Sequence, residues 1–240
     1  MNIILFDQPP EDGKLCISRK DPRGKHITHI LRAAVGDSLL MGLINGSFGR
    51  AVITAIDAEY IHVLWDPREL SSPLYPLELL VAQIRPICMK RILREAASLG
   101  VQKIHVTGAD TAEKSYADAH LWSRGEYTDY LIHGAQQAVS TRIPELNLYG
   151  CVDEIPQNSA AEMFFLDPDA DLQALSGYNL KGRSDPVILA EGPERGRSDR
   201  ERELFVRRGF IPARLGSRIL RTETASSVGI GIALHAMGYL

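Results

Sequence analysis

The sequence predicts an α/β protein: a largely parallel sheet with helices, preceded by a small β-barrel. Two observations carry this. The first ~70 residues hold short β-branched or apolar segments parted by turn residues, and the remainder alternates apolar strands with helical periodicity. A third places the boundary: Asp66 to Pro76 contains Pro67, Pro73 and Pro76, a density that disfavours both helix and central strand. The expected division is therefore a barrel over 1–68, a linker over 69–76 and an α/β domain over 77–240.

In the first part, Leu15 to Ser18, Ser38 to Gly42, Arg50 to Ile56 and Tyr60 to Trp65 read as strands, and Lys25 to Leu31 as a short helix. Asn45-Gly46-Ser47 and Asp57-Ala58-Glu59 are the expected hairpin turns. In the second part, Leu77 to Ile84 is a continuous apolar strand. Met89, Ile92, Leu93, Ala96 and Ala97 recur at helical spacing, and Gly100 ends that helix. Lys103 to Thr107 is the next strand, and a helix covers much of Ala119 to Val139. Met163 to Leu166 and Pro186 to Ala190 are buried strands. Ser198 with Glu201 forms a capping box that opens a helix. Phe210 to Leu215 is a strand, and Thr222 starts the closing helix.

The 240 residues carry a formal net charge of -3, so RNA or DNA binding requires a local basic patch. One exists: Lys14 to Arg32 holds Lys14, Arg19, Lys20, Arg23, Lys25 and Arg32 against a single acid, Asp21. Such residues position a phosphate backbone without reading its sequence, although most charge runs are simply solvated. Cys16, Cys88 and Cys151 lack metal-ligand spacing and read as reduced thiols, so no metal site is expected. No segment approaches the roughly 20 apolar residues of a membrane span, and the expected location is the cytoplasm. No G-x-G-x-x-G, P-loop, H-E-x-x-H or nucleophile elbow is present.

Two stretches stand out. Leu189-Ala-Glu-Gly-Pro-Glu-Arg-Gly196 follows an apolar strand and precedes the capped helix, where α/β sheets bind small molecules. An ordinary strand-to-helix turn would read the same way. Leu215-Gly-Ser-Arg-Ile-Leu-Arg-Thr-Glu-Thr-Ala225 keeps Leu215, Ile219 and Leu220 apolar within a loop, bracketed by Arg218 and Arg221. Thr222 is placed to cap the last helix, with Glu223 in its first turn.

Together these stretches resemble the Gly-Pro-Glu-Gly-Gly loop and the Arg-Ile-Leu-Arg-Thr-Glu-Thr-Ala signature of bacterial 16S ribosomal-RNA uridine N3-methyltransferases, members of the SPOUT superfamily. His29-Ile-Leu-Arg32 with Val35-Gly-Asp37 is similar to that family's N-terminal RNA-binding segment. Lys90 with Ala96 to Gly100, and Gln136-Gln137 with Arg142-Ile-Pro-Glu145, also follow its order. The sequence departs from the pattern at Glu191, Arg195 and Arg197. The family has a hydrophobe, the second glycine of a pair and an apolar residue there. An added Cβ at Arg195 crowds the backbone if that position needs a positive φ.

The resemblance implies a PUA-like barrel, a SPOUT domain with a deep trefoil knot, a homodimer, and S-adenosylmethionine bound between the two loops. The implied cofactor-binding residues are Leu189, Glu191, Gly192, Gly196, Leu215, Gly216, Ile219 and Leu220. Arg19, Lys20, Arg23, Lys25, His29, Arg32 and Arg142 are the expected RNA-binding residues, with 16S rRNA of the small subunit as partner. Uridine nitrogen 3 holds a proton, so its methylation calls for a base and for stabilisation of the resulting anion. Arg221 is the expected anion stabiliser, and Glu194 and Glu223 are the candidate bases. Methylation of another RNA, such as tRNA, and a non-catalytic RNA-binding relative are the alternatives.

Overall fold

The computed structural model describes residues 2–156, 161–169, 171–182 and 185–240. The chain divides into two compact units. The first comprises Met1–Pro73 and Ala135–Ile143, and the second Leu74–Gly134 and Pro144–Leu240.

The first unit is built on a five-stranded sheet. Its strands are β1 (Ile4–Phe6), β2 (Lys14–Ser18), β3 (Ser38–Leu43), β4 (Ser47–Ile56) and β5 (Tyr60–Leu70), in the spatial order β1-β3-β4-β5-β2. β1 runs parallel to β3, and the other pairs are antiparallel. Alternation sorts the side chains: Ala51 and Ile53 on β4, and Ile61, Val63 and Trp65 on β5, face a core shared with Ile4, Phe6, Ile17, Ile27, Leu39 and Met41. Trp65 buries its ring edge-on to Phe6, with centroids 5.0 Å apart, and its indole N–H donates to the Met41 carbonyl at 3.1 Å. Both expected hairpin turns occur, joining β3 to β4 and β4 to β5.

The short helix differs from expectation. α1 (Pro22–Lys25) is capped by Asp21, whose carboxylate accepts from the Arg23 N–H, and the chain continues as a wider π turn over His26–Ile30. β1 was not expected, because three residues are too few to show a period. The proline-rich linker is also shorter than expected, since β5 continues to Leu70. Pro67 is tolerated there because the register shifts beside it, at Phe48/Gly49.

The second unit holds six parallel strands: β6 (Tyr75–Ala82), β7 (Val101–Thr107), β8 (Glu145–Tyr149), β9 (Glu162–Leu166), β10 (Val187–Glu191) and β11 (Ile211–Ala213). Their order is β11-β9-β10-β6-β7-β8. β6 and β10 are central and buried on both faces, which explains their unbroken apolar runs.

The helices are α2 (Pro86–Ser98), α3 (His120–Ser123), α4 (Tyr127–Gln137), α5 (Asp199–Arg207) and α6 (Thr222–Met237). The single helix expected over Ala119 to Val139 is split into α3 and α4 at Gly125, which has φ +69°. α6 packs on α2 and on β10 and β6. A Cβ at Gly229 would lie 3.0 Å from Leu189 and 3.1 Å from Leu166, so this glycine lets α6 lie close to the sheet. The opposite face packs Phe165, Ile188 and Ala190 against Phe205 of α5.

Candidate functional site

Because the six strands are parallel, their carboxyl ends collect on one edge. β10 leads there into the 192–198 loop, β11 into the 214–221 loop, and β9 into Asp167 and Pro168. These segments enclose a cavity of about 330 Å³ lined by Glu191 to Arg197, Leu215, Gly216, Arg218, Ile219, Leu220, Thr222 and Ala225. The two stretches singled out in the sequence thus form opposite walls of one cavity. Of the eight expected cofactor residues, seven line it. Leu189 does not: it is fully buried beneath, against Gly229 of α6.

Local capping fixes the 192–198 loop. Ser198 accepts from the Glu201 N–H at 3.2 Å, and Glu201 in return accepts from the Ser198 N–H at 3.1 Å. The Thr111 hydroxyl donates to the Gly196 carbonyl, and Asp110 forms a bidentate pair with Arg200 at 2.9 Å. The left-handed conformation falls on Gly196, φ +76°, and not on Arg195, so the arginine there carries no backbone strain.

A second cavity, of about 530 Å³, shares Glu194, Arg195, Ile219, Leu220 and Thr222 with the first and adds Arg85, Cys88, Thr111, Tyr116, Arg221 and Glu223. All three expected catalytic residues line it. Glu194 accepts from the Arg85 backbone N–H at 3.2 Å, where α2 begins. Glu223 lies in the first turn of α6, 3.9 Å from Arg91. The expected cap shifts by one residue: Arg221 holds the N-cap position of α6 without a side-chain cap, and Thr222 is the first helical residue. The exposed Arg221 guanidinium is thereby left beside the cavity.

The floor of the first cavity carries two buried ionisable groups. Glu191 is 2% exposed; its carboxyl meets the Ser226 hydroxyl of α6, and Oε1 has no partner among the described residues. Burial pushes its pKa up to about 8, against the lowering effects of Ser226 and Arg197. Arg197 lies with its guanidinium carbon 4.1 Å from the Phe205 ring centroid, and its three nitrogens have no hydrogen-bond partner among the described residues. Burial lowers it to about 10, so it stays charged at neutral pH.

Arg85, Thr111, Tyr116, Asp167 and Ser226 were not anticipated. Ser226 comes from α6 and the others from the segments after β6, β7 and β9, so no contiguous motif marks them.

The expected RNA-binding residues lie in the first unit. Lys20, Lys25, His29 and Arg32 are exposed, with no side-chain hydrogen bond or ion pair among the described residues. Arg23 is committed to Asp21 at 2.8 Å, Arg19 donates to the Asp57 carbonyl at 2.9 Å, and Arg142 donates to the Asn45 carbonyl at 3.2 Å. Among the described residues no cluster of His, Cys, Asp and Glu could hold a metal ion, and no helix is long and apolar enough to cross a membrane.

The fold is that of solved methyltransferases. A Legionella pneumophila methyltransferase in complex with S-adenosylmethionine superposes with a TM-score of 0.81 at 24% identity, covering 100% of this chain and 99% of that one. The Neisseria gonorrhoeae ribosomal RNA small subunit methyltransferase E, also bound to S-adenosylmethionine, gives 0.76 at 17% identity over 99% and 98%.

The sequence carries the assignment further. Residues 70–234 match the RNA methyltransferase domain model. Ribosomal RNA small subunit methyltransferase E of Treponema pallidum is 34% identical over 98% of this chain and 91% of its own length. Methyltransferase E 1 of Borreliella burgdorferi is 29% identical over 94% of each. The chain belongs to the RNA methyltransferase family.

Proposed function

We propose that the protein transfers a methyl group from S-adenosylmethionine to ring nitrogen 3 of a uridine in small-subunit ribosomal RNA. The observation that carries this reading is the meeting of the 192–198 and 214–221 loops around one cavity, with Arg221, Glu194 and Glu223 lining the next. The relatives named above are ribosomal RNA small subunit methyltransferases, which favours rRNA over tRNA as the substrate.

The first cavity suits the cofactor. Its size is at the lower end of the roughly 300–1,000 Å³ of small-molecule sites. Gly192, Gly196 and Gly216 leave backbone groups open on its walls, and Leu215, Ile219 and Leu220 supply an apolar surface for a flat base. When bound, S-adenosylmethionine supplies a methyl group made electrophilic by its sulfonium. The chain's own work is on the base. Glu194 or Glu223 accepts the nitrogen 3 proton, and Arg221 donates to a uracil carbonyl, where negative charge develops as the proton leaves. A uridine must leave its stack to reach such a site, which favours single-stranded or loop RNA.

In this reading the first unit is a PUA-like RNA-binding domain, the second a knotted SPOUT domain acting as a homodimer, and the enzyme works in the cytoplasm. Lys20, Lys25, His29 and Arg32 are the phosphate contacts left free by local pairing. The test is incubation with labelled S-adenosylmethionine and small ribosomal subunits or rRNA from a strain lacking the protein, followed by nucleoside mass analysis. Label in 3-methyluridine is the expected result. Transfer to tRNA alone would move the substrate, and retained cofactor binding without transfer to any RNA would refute the chemistry.

A further inference from the structure

On the outer face of the five-stranded sheet, three side chains stand in a hydrogen-bonded line. Cys16 on β2 is the register partner of His62 on β5, and its Sγ lies 3.2 Å from His62 Nδ1. His62 Nε2 lies 2.8 Å from Asp57 Oδ2, in the β4–β5 turn. The other Asp57 oxygen accepts from the Glu59 and Tyr60 backbone N–H groups, each at 2.8 Å, which fixes the carboxylate in place.

These contacts decide where the protons sit. The His62 hydrogen bond, followed by the two backbone ones, holds Asp57 down at about 2, so the carboxylate only accepts. Nε2 must then carry a hydrogen, and in the neutral imidazole it is the Nδ1 lone pair that faces the thiol of an exposed cysteine. A nucleophile, a base in hydrogen-bond reach and an acid orienting that base form the arrangement that activates thiols.

The other two cysteines lack it. Cys151 donates to the Glu154 carboxylate at 3.7 Å, so a thiolate there would sit beside a like charge. The Cys88 thiol is pushed up by burial and then by Glu223 and Glu194.

We propose that Cys16 is a thiol-modification site, activated by His62 and Asp57, that takes low-molecular-weight disulfides. The Cys16 proton passes to His62 Nδ1. The thiolate sulfur bonds to one sulfur of the disulfide, the disulfide's own S–S bond breaks, and the departing thiolate takes the proton back from His62. Cys16 ends oxidised in a mixed disulfide, and one thiol of the reagent is released reduced.

Glutathione disulfide is the probe. The protein is incubated with it at pH 7, quenched in acid and digested, and the mixed disulfide is timed at each cysteine by peptide mass spectrometry. Cys16 is expected to react about tenfold faster than Cys88 or Cys151, and His62→Gln to lower only the Cys16 rate by about tenfold. Asp57→Asn is expected to slow Cys16 as well, and it keeps the test open should His62→Gln fold poorly. Equal rates at the three cysteines overturn the proposal. So does an unchanged Cys16 rate in either variant when its thermal unfolding matches the wild type, because exposure alone would then explain the reactivity. The result is independent of methyl transfer.

Discussion

Replacing Glu191 by glutamine should make the protein more stable at alkaline pH, and the size of the gain follows from the site. Ser226 Oγ contacts both the Thr222 carbonyl at 3.0 Å and Glu191 Oε2, yet the hydroxyl has one hydrogen. One hydrogen cannot serve both acceptors at once, and desolvation outweighs the lowering effect of its donation to Glu191, so the carboxyl is held protonated. The buried carboxyl thus keeps its proton to a pH of about 8, whereas the unfolded chain releases it near 4.5. Between those values unfolding releases a proton, so stability present below pH 4.5 is lost as pH climbs to about 8. At 1.36 kcal/mol per pH unit the whole loss is about 5 kcal/mol, of which about 3 kcal/mol is gone by pH 7. Glutamine keeps a donor toward Ser226 and cannot ionise. Denaturant unfolding of both proteins at pH 5, 6.5 and 8 should show Glu191→Gln gaining about 4 kcal/mol on the wild type across that range. A stability difference that stays constant with pH would refute the neutral carboxyl.

Three further outcomes are expected. Arg221→Ala should lower the rate of methyl transfer by about 10²–10³ while leaving S-adenosylmethionine binding by calorimetry unchanged, the scale seen when one charge-stabilising donor is removed; equal loss of both would refute its role. Ser198→Ala should destabilise by about 1 kcal/mol in denaturant unfolding, because the Glu201 N–H loses its cap and Asp110 loses a donor. Lys20→Ala and Lys25→Ala should each weaken RNA binding and reduce the slope of log affinity against log salt by about 1, the signature of one lost phosphate contact; an unchanged slope would place the RNA elsewhere.

Much of this architecture was legible because its signals are local. Ser198 and Glu201 form a capping box from neighbouring residues, and Asn45-Gly46 and Asp57 fix two hairpins within a few positions. The apolar runs of β6 and β10 announce strands covered on both faces. What escaped the reading depends on distance along the chain. Residues 135–143 cluster with the first unit, where Thr141 hydrogen-bonds Ser71 and the Gly46 carbonyl. Nothing in their own composition marks that return. β8, at the sheet edge, mixes Glu145, Asn147 and Tyr149 with Leu146 and Leu148, too polar a pattern to separate from a loop.

The site divides in the same way. The 189–196 and 215–225 stretches are recognisable as words in the sequence, whereas their meeting requires the β10 and β11 strand ends to lie on one edge. Glu191 and Arg197 show why a residue's type alone misleads there. In the sequence both stand out as departures from the family's apolar positions at the cofactor loop. In the fold they lie under it, one protonated against Ser226 and the other stacked on Phe205. The sequence does not show that they share the floor of one cavity, or that burial sets the protonation of Glu191. A glutamate at a position otherwise apolar is tolerated because it can keep its proton, and Ser226 on α6 is the neighbour that makes this workable. The expected compensation therefore lies 35 residues away on another element, where pairwise replacement of Glu191 and Ser226 should reveal coupling that neither single change shows.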